Sequence, residues 1–180
     1  MKGAKLMRQL AALWGVIGVT LFLLYPIQRL TLYTIEAFDY SWSAIHWLAL
    51  LVNIVFMAYS EGYQGFQKNF SPRVAARVLY LSREAGWLDG LLAPMFCLGY
   101  FGTTRKRQIS VLLLTLMIIV LIYIISQLPQ PWRGIVDAGV VVGLAWGLGT
   151  MLFFVWQAFS SEHFTHSPEL SPCYAAKAGQ

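Results

Sequence analysis

Charge is scarce in this chain of 180 residues: Asp, Glu, Lys and Arg make up 12% of it, against about 25% in an ordinary soluble domain. With 58% hydrophobic residues and a mean hydropathy of +0.60, a soluble fold is excluded as a sequence reading. Cysteine is equally sparse. Cys97 lies in an apolar stretch and Cys173 in a polar tail, a poor disulfide pair that gives no redox-compartment signal. The three histidines form no ligand set: His46 stands alone in an apolar run, and His163 and His166 belong to the tail. Neither a metal site nor a cofactor is expected from them. Dinucleotide and P-loop glycine patterns are missing, as are paired carboxylates and a nucleophile elbow. No reaction is named by any of these residues, and whether the protein is an enzyme stays open, with the balance against it.

What the chain does have is long uncharged runs. Between flanking charges they count 20 residues from Arg8 to Arg29, 21 from Asp39 to Glu61, 25 from Arg107 to Arg133 and 24 from Asp137 to Glu162. Each is long enough, since a helical span needs roughly 20 apolar residues. Backbone polar groups in lipid must be satisfied internally, and none of the runs alternates as a barrel strand does, so helices are expected. The spacing predicts spans at about 9–28, 41–60, 109–128 and 136–157, with Trp14, Tyr25, Tyr33, Trp42, Trp132 and Trp156 near their ends, as interfacial aromatics should be. The first run resembles a secretory signal, but it is long and ends in Leu24-Tyr25-Pro26 without a small-x-small pattern, so an uncleaved first span is expected. The expected location is a bacterial cytoplasmic (inner) membrane or an equivalent organellar membrane.

Residues 87–104 are ambiguous. Only 15 uncharged residues separate Asp89 from Arg105, and Gly90, Pro94 and Gly99 interrupt them. If this segment is a fifth span, Lys and Arg divide eight to five between cytoplasm and outside; if it re-enters and returns, they divide eleven to two. The positive-inside rule favours the second arrangement, with both termini cytoplasmic. The fold class is therefore all-α: a polytopic helical membrane domain over 1–159 with four transmembrane helices and a short Pro/Gly-broken segment, re-entrant or else a fifth span. A cytoplasmic connector at 61–86 is expected to contain an amphipathic helix lying in the head-group plane, started by Ser71-Pro72 and with Val74, Val78 and Leu81 on one face. Residues 160–180 read as a flexible polar tail.

Several residues stand out as candidate sites. His46 and Asn53 are seven residues apart, hence on one stripe of the second span, and either line a binding path or pack by hydrogen bonding. Asp89 precedes the broken segment, where a carboxylate is costly unless it caps a helix. Asp137 is expected to pair with Arg133. Glu61 opens a run of mixed chemistry, Glu61 to Arg73, in which Lys68, Arg73 and the following Arg77 are candidates for contact with lipid phosphates or a partner. Gly139, Gly143 and Gly147, with a second small pair at Ala145 and Gly149, let another backbone approach closely, either a neighbouring span or a second protein.

The partners expected are the bilayer and its anionic head groups, with a membrane-protein partner or a second copy of the chain. Nucleic acid is not expected, because the basic residues flank hydrophobic runs instead of forming a soluble basic face. These features point first to a protein acting by association, as an accessory, assembly or scaffold subunit. The alternative is a small transporter or channel subunit with a pathway near the broken segment. A membrane-embedded lipid-modifying enzyme, with Glu61 and Asp89 as acids or bases, is the third reading.

Overall fold

A computed structural model of the chain describes residues 2–84, 86–161 and 164–172. It is 84% helix, without named strands among the described residues. The helices are α1 (Lys2–Glu36), α2 (Ala44–Met57), α3 (Ser71–Glu84), α4 (Trp87–Leu91), α5 (Ala93–Leu98), α6 (Arg105–Ser126) and α7 (Trp132–Ser160), with a 3-10 turn at Ala37–Asp39 and a π-helical stretch at Ala58–Phe70. Four helical segments are long and apolar enough to cross a membrane by length and composition: Lys5–Asp39, Ala44–Glu84, Arg105–Ser126 and Trp132–Ser160. Large apolar side chains exposed along α2 and α6, such as Leu48, Val55, Leu113 and Ile122, would be an aggregation liability in water and suit lipid instead.

The second of these segments departs from the sequence expectation. Helix does not stop near residue 60: α2, the π-helical stretch and α3 form one uninterrupted run of 41 residues from Ala44 to Glu84, about 60 Å at 1.5 Å per residue. The connector expected at 61–86 is thus mostly a continuation of the span. Its α3 portion is not a helix laid on the head groups. Val74, Val78 and Leu81 are 1%, 0% and 0% exposed, so the apolar face read from the sequence is covered by protein and not by lipid.

The chain divides into two compact units, residues 1–21, 71–115 and 151–180 in one and 22–70 and 116–150 in the other. In the first, α1 presents a small-residue face to the broken segment. A side chain at Gly15 would meet Cys97 Sγ at 3.0 Å and Leu81 Cδ1 at 3.4 Å, and one at Gly18 would collide with Pro94. Helices α4 and α5, at five and six residues, are each under about 10 Å long and cannot span. Helix α5 ends at Gly99, whose φ of 92° is the left-handed conformation that glycine adopts without cost.

Residues 164–172, part of the stretch expected to be a flexible tail, make defined contacts in the same unit. Leu170 bridges Thr103, Ser171 N–H donates to Gly102 O at 3.0 Å, and Glu169 faces Arg73 and Arg107. His163 and Cys173 lie outside the described residues. His166 packs edge-on to Phe164 and Phe154.

Candidate functional site

The second unit holds a seam between α7 and the helix running from Ala44 to Phe70. Its upper end is fixed by a helix cap: the Ser43 N–H donates to His46 Nδ1 at 3.1 Å, and the His46 ring sits edge-on to Trp132, centroids 4.9 Å apart. His46 therefore uses one ring nitrogen to satisfy a backbone donor that the first helical turn leaves free. One stripe lower, Asn53 Nδ2 donates to Ile135 O at 2.7 Å and lies against Gly139. The seven-residue spacing read from the sequence does place both side chains toward one helix. Their roles there are capping and interhelical hydrogen bonding.

Glycines 139, 143 and 147 all face this seam and are buried. A side chain at Gly143 would meet Glu61 Oε2 at 3.0 Å and Glu61 Cβ at 3.2 Å, and one at Gly147 would collide with the Phe66 ring. Trp146 closes the opposite direction, 3.0 Å from where a side chain at Gly62 would begin, and its Nε1–H donates to Gln67 Oε1 at 2.9 Å. The partner of the glycine stripe is thus the chain's own second span. Gly149, in the second small pair, has nothing within 4 Å.

Helix type sets this register. In the α-helical part the contacting residues are Asn53, Met57 and Glu61, four apart. In the π-helical part they become Glu61 and Phe66, or Gly62 and Gln67, five apart. A π-helix closes its hydrogen bonds from i to i+5, so residues five apart return to one face. An α-helix would have turned Phe66 about 140° away from Glu61.

The consequence falls on Glu61. Its neighbour Gly143 lies six residues inside the uncharged run that follows Asp137, about 9 Å along the α7 axis. A carboxylate expected at the membrane boundary is therefore placed beside the interior of an apolar helix. It is half-buried and makes no hydrogen bond or ion pair among the described residues. Ionisable groups at such positions are expensive and usually mark ion or proton pathways.

The remaining candidates make other contacts. Asp89 belongs to the other unit, where its Oδ2 accepts from the Gly86 N–H at 3.3 Å, a capping role at the start of α4. Lys68 is exposed with Nζ 4.6 Å from the Tyr63 ring centroid. Arg73 pairs with Glu169 at 3.5 Å. Arg77, expected to reach lipid phosphates, is only 2% exposed and is held by protein carbonyls. Asp137 is buried, 3.7 Å from Arg133 Nε, and the Arg133 guanidinium covers the Tyr33 ring at 3.8 Å.

The fold and seam define a helical protein with four segments capable of crossing a membrane. No protein-family model, curated protein or solved structure matches the chain.

Proposed function

We propose that this chain is a multi-pass protein of a bacterial cytoplasmic or equivalent organellar membrane, acting as a small transport or channel subunit in which Glu61 takes up and releases a proton. The observation that carries the reading is the position of the Glu61 carboxylate, unpaired among the described residues and beside Gly143 of an apolar helix. A proton is the cargo that suits it, because one carboxylate suffices to bind a proton whereas hard metal cations need several oxygens. Gly143 leaves room for the carboxyl group, and π-helical segments frequently occur at functional sites. This reading moves the pathway from the broken segment to the α7 seam, since Asp89 acts as a cap. In the arrangement we favour, residues 87–104 return to the side they left, giving four spans and cytoplasmic termini.

Proton flux into proteoliposomes tests the proposal. Flux that is lost in Glu61→Gln and kept in Asp89→Asn supports it. Absence of flux in the wild type, or flux indifferent to Glu61→Gln, contradicts it.

Association with another membrane protein is the second reading. Of the sequence features that favour it, the glycine stripe and the basic aromatic connector, the stripe is engaged within the chain. Its support is now α6, in which no residue is buried, although lipid tails cover such a helix as well as a partner would.

A further inference from the structure

Arginine is the side chain least suited to burial without an anionic partner, yet Arg77 is buried on α3 with only neutral acceptors among the described residues. Its Nε donates to Pro168 O at 3.0 Å and its Nη1 to Phe96 O at 3.1 Å, at the end of α5. The third nitrogen, Nη2, is buried and has no hydrogen-bond partner among the described residues. Space for this guanidinium depends on Gly99: a side chain there would lie 2.6 Å from Arg77 Nη1. Two further guanidiniums gather at Glu169, the residue that follows Pro168. Arg73, one turn earlier on α3, and Arg107, in the first turn of α6, share the single carboxylate of Glu169, at 3.5 Å and 3.8 Å. Three arginines thus converge on the Pro168–Glu169 segment, and the Glu169 side chain is 40% exposed.

We propose that Arg73, Arg77 and Arg107 form a binding site for a phosphoryl group, which the Pro168–Glu169 segment occupies as an intramolecular surrogate. A phosphoryl group offers three acceptor oxygens and up to two negative charges, matching the planar forks of several arginines better than one carboxylate can. The surrogate is imperfect in two ways. It leaves Nη2 unpaired among the described residues, and it holds Glu169 at a φ of 50°, a backbone region that residues with side chains seldom adopt. Arg107 also marks the end of a charge cluster, immediately before the uncharged run of α6. That places the site near head-group depth, where a phospholipid could supply the phosphoryl group as readily as a soluble phosphate.

The test uses the full chain in a neutral detergent. Binding of inorganic phosphate and of dihexanoyl phosphatidic acid is measured for the wild type, Glu169→Gln and Arg107→Gln. Glu169→Gln should tighten binding severalfold by removing the competitor, and Arg107→Gln should weaken it about tenfold. Tightening cannot come from a misfolded variant, so the two substitutions control one another. Binding of phosphatidic acid alone identifies a lipid head-group site. Binding of phosphate alone identifies a soluble ligand, and binding of both a site open to either source. The proposal is overturned if neither probe binds wild type or Glu169→Gln, or if binding is unmoved by both substitutions.

Discussion

Replacing Gly147 by Ala tests the seam at one of its tightest described contacts. A methyl group at this position would press against the Phe66 ring, with Cδ2 at 2.8 Å and two other ring atoms nearer still. Contacts that short force the ring or the helix to shift, and overpacking of this kind costs about 1–3 kcal/mol. The gain in helix propensity from Gly to Ala opposes it by at most about 1 kcal/mol. With the full propensity gain subtracted, the expected net loss is up to about 2 kcal/mol. Gly149→Ala is an internal control, two residues along the same helix with nothing within 4 Å, and should be neutral or slightly stabilising. The measurement is reversible unfolding of the purified protein in mixed micelles, followed by helix content or steric trapping. Trimming Phe66 to Ala in the Gly147→Ala background should recover part of the loss, with a coupling of about 0.5–3 kcal/mol expected of residues in contact. If the two alanine variants change stability alike, or the Phe66 and Gly147 effects simply add, then Gly147 does not face Phe66 and the π-helical register argued from it is wrong.

Three further outcomes are expected. Cysteines placed at Glu61 and Gly143 in a background free of other cysteines should join on mild oxidation, since the Glu61 Cβ lies 3.2 Å from the Cβ position at 143, near the ~3.8 Å separation of disulfides; no cross-link in the membrane would count against the seam. Cys97, 2% exposed, should resist maleimide in the folded protein and react once it is unfolded, because a buried structural thiol is inert; ready labelling of the native protein would contradict the packing of α5 on α1. A cysteine at Lys106 should label with an impermeant reagent from the same side as one at Lys5. Labelling from the opposite side would make residues 87–104 a fifth span.

Much of the fold is legible in the spacing of charge. Helix-length uncharged runs separate the flanking residues of all four predicted spans, and the period of Gly139, Gly143 and Gly147 marks the face along which α7 is approached. What fails is the rule that a span ends at its first charge. Glu61 closes the apolar run in sequence, but in space the helix continues with Gly143 and Gly147 beside it, so protein replaces the water that the rule assumes. Nor is the change from four-residue to five-residue spacing visible in composition, since a π-helical stretch has no residue signature of its own here. The burial of Arg77 was illegible for a different reason. It depends on Gly99, Phe96 and Pro168, remote positions that the α3 sequence carries no trace of. The amphipathic pattern of α3 marks a face but not its cover, because periodicity reports that a face is apolar and not whether lipid or protein meets it.

The central claim, that Glu61 exchanges a proton beside α7, is tested most directly by infrared difference spectroscopy of the membrane-reconstituted protein across a pH titration. The account predicts a carboxyl C=O band that appears and disappears with pH in the wild type, shifts when glutamate is labelled with carbon-13, persists in Asp89→Asn and is absent in Glu61→Gln. A difference spectrum that is the same in the wild type and in Glu61→Gln would contradict it.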